Sequence, residues 1–221
     1  MTTQALFAWP PQAAVGRPVA KSKIYAHAKP TAALRALFVA QVESITWAYK
    51  LSPETINLPA KPAVPEIEVF EVTLKLPDVS HSVLRCIDKA MPRPILFNLR
   101  FEGKTQPIAA YKRPSDAAGD QWVLGDYHAA PWQEDGEARP ALPLALDLQG
   151  LYGQLMRQHL AVPARAGESL RDQLDRLAAL AAKQAAAAKL EARLTAEKQF
   201  NRKVEINAQL RTIRTELEAL M

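Results

Sequence analysis

Leu34, Leu37, Phe38, Val42, Ile45 and Tyr49 recur at three- to four-residue spacing. That period predicts an amphipathic helix over residues 31–51. Thr31 can cap its start after Pro30, and Ser52-Pro53 stops it. A short strand is expected over 55–58, then a loop over 59–65 with three prolines. Residues 66–76, EIEVFEVTLKL, alternate with a period of two. Phe70, Val72, Leu74 and Leu76 fall on one face, and Ile67, Val69 and Thr73 share the other with Glu71 and Lys75. Apolar residues on both faces predict a central strand.

Further along, Ser80 caps an expected helix to about residue 90, with Val83, Leu84, Ile87 and Met91 inward. Strands follow over 95–101, 107–113 and 121–130, with turns at 102–104 and 116–120. After a loop over 131–143, a helix over 144–160 buries Leu148, Leu151, Tyr152 and Leu155. A linker occupies 161–167.

Residues 168–221 contain no Gly and no Pro. One unbroken helix of that length would reach ~80 Å at ~1.5 Å per residue. It must pack on itself, on a second copy or on a partner. Leu170, Leu174, Leu177 and Ala181 form one 4-3-4 series; Ile206, Leu210, Ile213, Leu217 and Leu220 form another. The two do not join in phase, and the slip near Asn201 marks a register shift or a hairpin corner. The fold class expected is α+β: a mixed or antiparallel sheet flanked by helices, with a long C-terminal coiled coil or helical hairpin. The domains are an extended basic arm (1–30), a body (31–160) and the long helix (168–221).

Charge changes this picture in one place. The formal net charge is +5, and the first acidic residue is Glu43. Arg17, Lys21, Lys23, Lys29 and Arg35 precede it, so residues 1–42 hold the whole excess. Arg17, Lys21, Lys23 and Lys29 are therefore the candidate nucleic-acid contacts of the arm. A second local excess over 79–113 is cancelled by acids elsewhere. The single cysteine, Cys86, excludes an internal disulfide and a multi-thiolate zinc site, and is expected as a buried thiol. No two of the four histidines are spaced as a metal pair, and no glycine-rich phosphate loop is present. No cofactor or metal is expected. No apolar run is long enough to span a membrane, and Pro10 and Pro11 interrupt a terminus that lacks a signal-peptide pattern. A cytoplasmic protein is expected.

Asp88 followed by Glu102-Gly103-Lys104 matches the loose pattern of a metal-dependent nuclease of the restriction-endonuclease type. In such sites two carboxylates hold Mg²⁺ and a lysine orients the attacking water. The spacing is permissive, and Gly103 falls in a turn rather than in a strand.

The phrases KLSPETINL (50–58), EIEVFEVTLK (66–75), IDKAMPRPILF (87–97) and AEKQFNRKVEINAQLR (196–211) occur in this order. Together with Trp47, Tyr111-Lys112, Trp122 and Leu151-Tyr152, they resemble an uncharacterised bacterial family, number 4391 of the domain-of-unknown-function series. The resemblance implies a setting beside helicases and DNA methyltransferases in restriction-like defence islands, but no catalytic residues. It draws attention to Lys50, Asn57, Lys75, Asp88, Lys89, Asn201 and Arg202. The function expected is a non-catalytic accessory or scaffold protein. Its partner would be a protein, helicase or methyltransferase among the candidates, or a second copy. Docking would use Phe200, Asn201, Arg202, Ile206, Leu210, Ile213 and Leu217, with DNA or RNA as a further partner.

Overall fold

A computed structural model of the chain describes residues 5–115 and 121–221; the turn expected at 116–120 lies outside them. The chain divides into two compact units, Met1–Leu160 and Ala161–Met221.

The first unit is built on a mixed sheet. Its strands are β1 (Ala14–Pro18), β2 (Val42–Leu51), β3 (Ile67–Leu74), β4 (Ile95–Phe101), β5 (Lys104–Pro114), β6 (Trp122–Ala129) and the short β7 (Gln133–Glu134). The order across the sheet is β1-β2-β3-β4-β5-β6, with β7 beside β5. Every pairing is antiparallel except β3 with β4, which run parallel. Helix α4 (His81–Ala90) makes the crossover that a parallel pair requires.

β3 is central, as its two apolar faces predict. Phe70, Val72 and Leu74 enter a core with Phe38, Ile45, Phe97, Val83, Leu84 and Ile87. Ile67, Val69, Leu96 and Ala109 are buried outside that cluster, as are Leu148, Leu151, Tyr152 and Leu155 of α5 (Leu148–Arg157). Each fully buried Leu or Phe contributes ~1.5–3 kcal/mol relative to exposure. Cys86 is buried, as expected.

Three expectations are corrected. The helix begun at Thr31 is α2 (Ala32–Gln41), and Thr31 Oγ1 does accept the Leu34 N–H at 3.3 Å. It stops at Gln41, and residues 42–51 are strand β2. Two bulges explain the misleading period: ten residues of β2 lie against eight of β3, with the register slipping between Val42 and Ser44 and between Trp47 and Tyr49. Burial therefore recurs at Val42, Ile45, Ala48 and Leu51, every third residue.

The strand expected over 55–58 is a helical turn instead, α3 (Pro53–Ile56). Ser52 and Thr55 form a reciprocal capping box, Pro53 sits in the first turn, and Asn57 closes the turn in the left-handed region at φ 53°. Nor are residues 5–30, the described part of the expected arm, extended throughout. Residues 14–18 are edge strand β1, paired with β2, and α1 (Lys21–Ala28) packs through Ile24 and Tyr25 on the core. Apolar residues between the lysines supply the burial that the charge pattern obscured.

The second unit is a hairpin of α6 (Leu170–Ala196) and α7 (Phe200–Leu220), with its corner at residues 197–199. Lys183 pairs with Glu216 and Glu191 with Arg214, as antiparallel helices require.

Candidate functional site

Buried ionisable groups in the first unit mark two places where chemistry is concentrated. At the C-terminus of α4, Lys112 reaches in from β5. Its Nζ donates to the Asp88 carbonyl and the Met91 carbonyl, each at 2.5 Å, and lies 3.5 Å from Asp88 Oδ1. Tyr127 of β6 donates its hydroxyl to Asp88 Oδ2. Tyr152 of α5 accepts the Lys112 backbone N–H at 2.9 Å and donates to the Ala110 carbonyl at 3.2 Å. Burial pushes the Asp88 carboxyl up to about 6, against the pull of Lys112 and Tyr127, and it lowers Lys112. A cavity of about 310 Å³ opens beside this group. The three protons of the ammonium nevertheless have protein acceptors, and a cation is favoured at a helix C-terminus. The arrangement is a clasp that ties α4 to β5 and β6.

The second cluster is at the N-terminal end of β3. Glu66 is held by Lys50 at 2.8 Å and by Arg93 at 2.9 Å. Burial opposes its ionisation, but these two cations keep the carboxyl below its usual value. Glu68, two residues on, is buried and has a neutral donor: Trp47 Nε1 at 2.5 Å. Burial, aided by the nearby Glu66 charge, raises Glu68 to about 7. Sequence reasoning missed Glu68, and it missed Lys112 and Tyr127 as partners of Asp88. The available signal was a carboxylate on the Phe70 face of a central strand.

The nuclease trio is not assembled. Glu102 and Gly103 form the β4–β5 turn, both with positive φ, and Lys104 pairs with Glu134 at the surface. Lys104 lies eight residues before Lys112 on β5, or ~26 Å at ~3.3 Å per residue. Asp88 is at the Lys112 end. Among the described residues no three His, Cys, Asp or Glu side chains are grouped to hold a metal ion.

The four basic residues of the supposed arm separate into two roles. Lys21 Nζ donates to the Phe38 and Val42 carbonyls, finishing α2, and burial lowers its pKa. Lys29 caps α1 in the left-handed region, and its side chain is exposed. Arg17 and Lys23 are exposed.

In the hairpin, Ile206 and Leu210 are buried, and Ile213 and Leu217 are half-buried. Phe200 is 77% exposed, with Asn201 and Arg202 exposed beside it. The base is clamped by Arg176, which binds Glu168 and donates to the Pro163 and Leu220 carbonyls. Arg176 and the Arg165 N–H hold the Glu168 carboxyl down to about 2.

Residues 7–217 match the family described as Domain of unknown function (DUF4391). The chain belongs to this family. No curated protein and no solved structure matches it.

The DUF4391 match spans both units, and the polar residues singled out in the sequence divide between them. In the body, Lys50 holds Glu66, Asn57 closes α3, Lys75 donates to the Val39 carbonyl at 2.9 Å, and Asp88 anchors the clasp. These four complete internal structure, whereas Lys89, in the last turn of α4, is exposed. In the hairpin, Asn201 and Arg202 stand exposed beside Phe200.

Proposed function

We propose that this DUF4391 protein is a non-catalytic accessory or scaffold component of a bacterial restriction-like helicase–methyltransferase defence system, acting in the cytoplasm. The body is the folded platform, and the α6–α7 hairpin docks a protein partner. One observation carries this reading: Phe200 and Val204, one turn apart at the start of α7, expose 77% and 53% of their surface. Together with Asn201 and with Arg202, which pairs with Glu197 at 4.0 Å, they make an apolar patch with a polar rim at the corner of the hairpin. Exposed apolar side chains on one helical face, rimmed by polar groups, suit a protein interface. The buried ionisable residues Glu68, Asp88 and Lys112 of the body are engaged in holding the fold, and the placement of Asp88, Glu102 and Lys104 lends the nuclease reading no support.

The test compares wild-type full-length protein with Phe200→Glu/Val204→Glu, each purified through an affinity tag at native expression. A helicase or methyltransferase that co-purifies with wild type and is lost from the variant, at equal thermal stability, is the expected result. Light scattering of both proteins separates a hetero-partner from a second copy. Equal recovery with the variant would remove the docking role. Contact with DNA or RNA would fall to Arg17, Lys23 and Lys29, and its affinity must decline with added salt.

A further inference from the structure

A cavity of about 240 Å³ lies in the body where α1 and α4 cover the β1–β2–β3 end of the sheet. Its floor is apolar, made by Ile24, Trp47, Phe70, Ile87 and Met91. The indole N–H of Trp47 is engaged by Glu68, so the ring offers the cavity carbon rather than a donor. The rim has a different character. Arg17, Lys23 and His27 line it, and no carboxylate does.

The placement of these three follows from the local structure. Arg17 is fixed opposite Trp47 by the β1–β2 register. Lys23 and His27 are four residues apart on α1 and so share a face. Lys21 binds the end of α2. Arg17, Lys23 and His27 have no hydrogen-bond or ion-pair partner among the described residues, and no carboxylate lines the cavity to neutralise the charges of Arg17 and Lys23. An apolar floor under the two uncompensated cations Arg17 and Lys23 selects for a ligand with one apolar end and one negative end. Ligand pockets usually run from ~300 Å³ upward, so this one suits a body of one or two rings.

We infer that the cavity binds a small amphiphilic anion, with an aromatic or branched apolar group on Trp47, Phe70 and Ile87 and a carboxylate or phosphate between Arg17 and Lys23. The inference is independent of the docking role of the hairpin.

Labelling the full chain with 5-fluorotryptophan gives one fluorine resonance for each of its four tryptophans, and Trp47→Phe assigns that of Trp47. Titrations would use phenylacetate, phenyl phosphate, benzyl alcohol and benzylamine. Phenylacetate, phenyl phosphate or both are expected to shift the Trp47 resonance saturably, and which of them binds tighter identifies the anionic group. Benzylamine should give no saturable shift, and benzyl alcohol should bind more weakly than the anions. Arg17→Gln/Lys23→Gln, two exposed changes, should weaken anion binding about tenfold, as expected of two rim charges at ~0.5–1 kcal/mol each. Ala90→Leu, on the cavity wall, should abolish binding with the circular dichroism spectrum unchanged. Benzylamine or benzyl alcohol binding as tightly as the anions, or no saturable shift with either anion, would overturn the site. Anion binding that survives Ala90→Leu would assign the ion to the rim alone, as for a nucleic-acid backbone, and would overturn it equally.

Discussion

The inner charges of the body and the outer charges of the hairpin are handled in opposite ways. In the body, Asp88 and Lys112 are 1% and 3% exposed, and each has several fixed partners. In the hairpin, Lys183 and Glu216 pair with 40% and 44% of their side chains in water. A charge taken out of water must be met at every proton and lone pair, because the desolvation penalty is several kcal/mol per ion. A charge at the surface has water as its alternative partner, and its pairing contributes little. Buried ion pairs therefore fix the body in one arrangement, whereas the outer surface of the hairpin is free to vary or to meet another molecule. Arg176 marks the boundary within the hairpin: the base is anchored by buried contacts, and the corner is not.

The largest test of this contrast is Lys112→Ala. It leaves Asp88 buried and uncompensated, and should cost ~3–5 kcal/mol in chemical denaturation. A loss below ~1 kcal/mol would mean that the clasp is replaceable and the contrast is false. Next is Leu210→Ala, which removes a 2%-exposed side chain from the hairpin seam. It should cost ~2–3 kcal/mol, read by amide exchange as lost protection in α6 and α7 while β3 and β4 stay protected. Uniform loss across both units would show that they unfold as one.

Glu68 gives a pH-dependent test in the body. Its folded pKa of about 7 lies above the ordinary 4.5, so the folded state holds the proton more tightly than the unfolded one. Stability from this group is complete below pH 4.5, falls as pH rises through about 7, and is flat above. Glu68→Gln keeps an acceptor for Trp47 and should raise stability at pH 8 by ~1–3 kcal/mol, with almost no change at pH 4. Equal effects at both pH values would disprove the burial argument. The smallest effect is expected from Lys183→Ala, at under ~1 kcal/mol and shrinking with salt.

How legible each part was depends on whether its signal is local. β3, α4, β4, β5 and β6 read directly from alternation, from Ser80 as a cap and from the Glu102-Gly103 turn, because each signal sits within the element it defines. The hairpin corner showed as a phase slip within a few residues of 197–199. The Asp88 clasp was illegible, because its partners lie 24 and 39 residues away on different strands. A pattern read along the chain registered Asp88 as one of the three residues of a nuclease motif and as a polar position of the family resemblance. The basic residues of 1–30 misled for the same reason: their charge is visible in sequence, but the burial of Ile24 and the capping by Lys21 arise only once β1 and α1 meet the sheet.

The two bulges of β2 carry a consequence for how this chain can change length. The strand holds two residues more than its partner needs. The surplus residues are Glu43 and Ala48, which have no partner on β3. Removing either takes out one bulge and leaves the other pairs in place, with Trp47 still opposite Phe70 and Leu51 opposite Ile67. Deleting Thr46 instead would move Trp47 opposite Glu71, on the other face of the sheet from Glu68. Along residues 42–51, then, positions 43 and 48 are where the strand should tolerate the loss of a residue, and position 46 is where it should not.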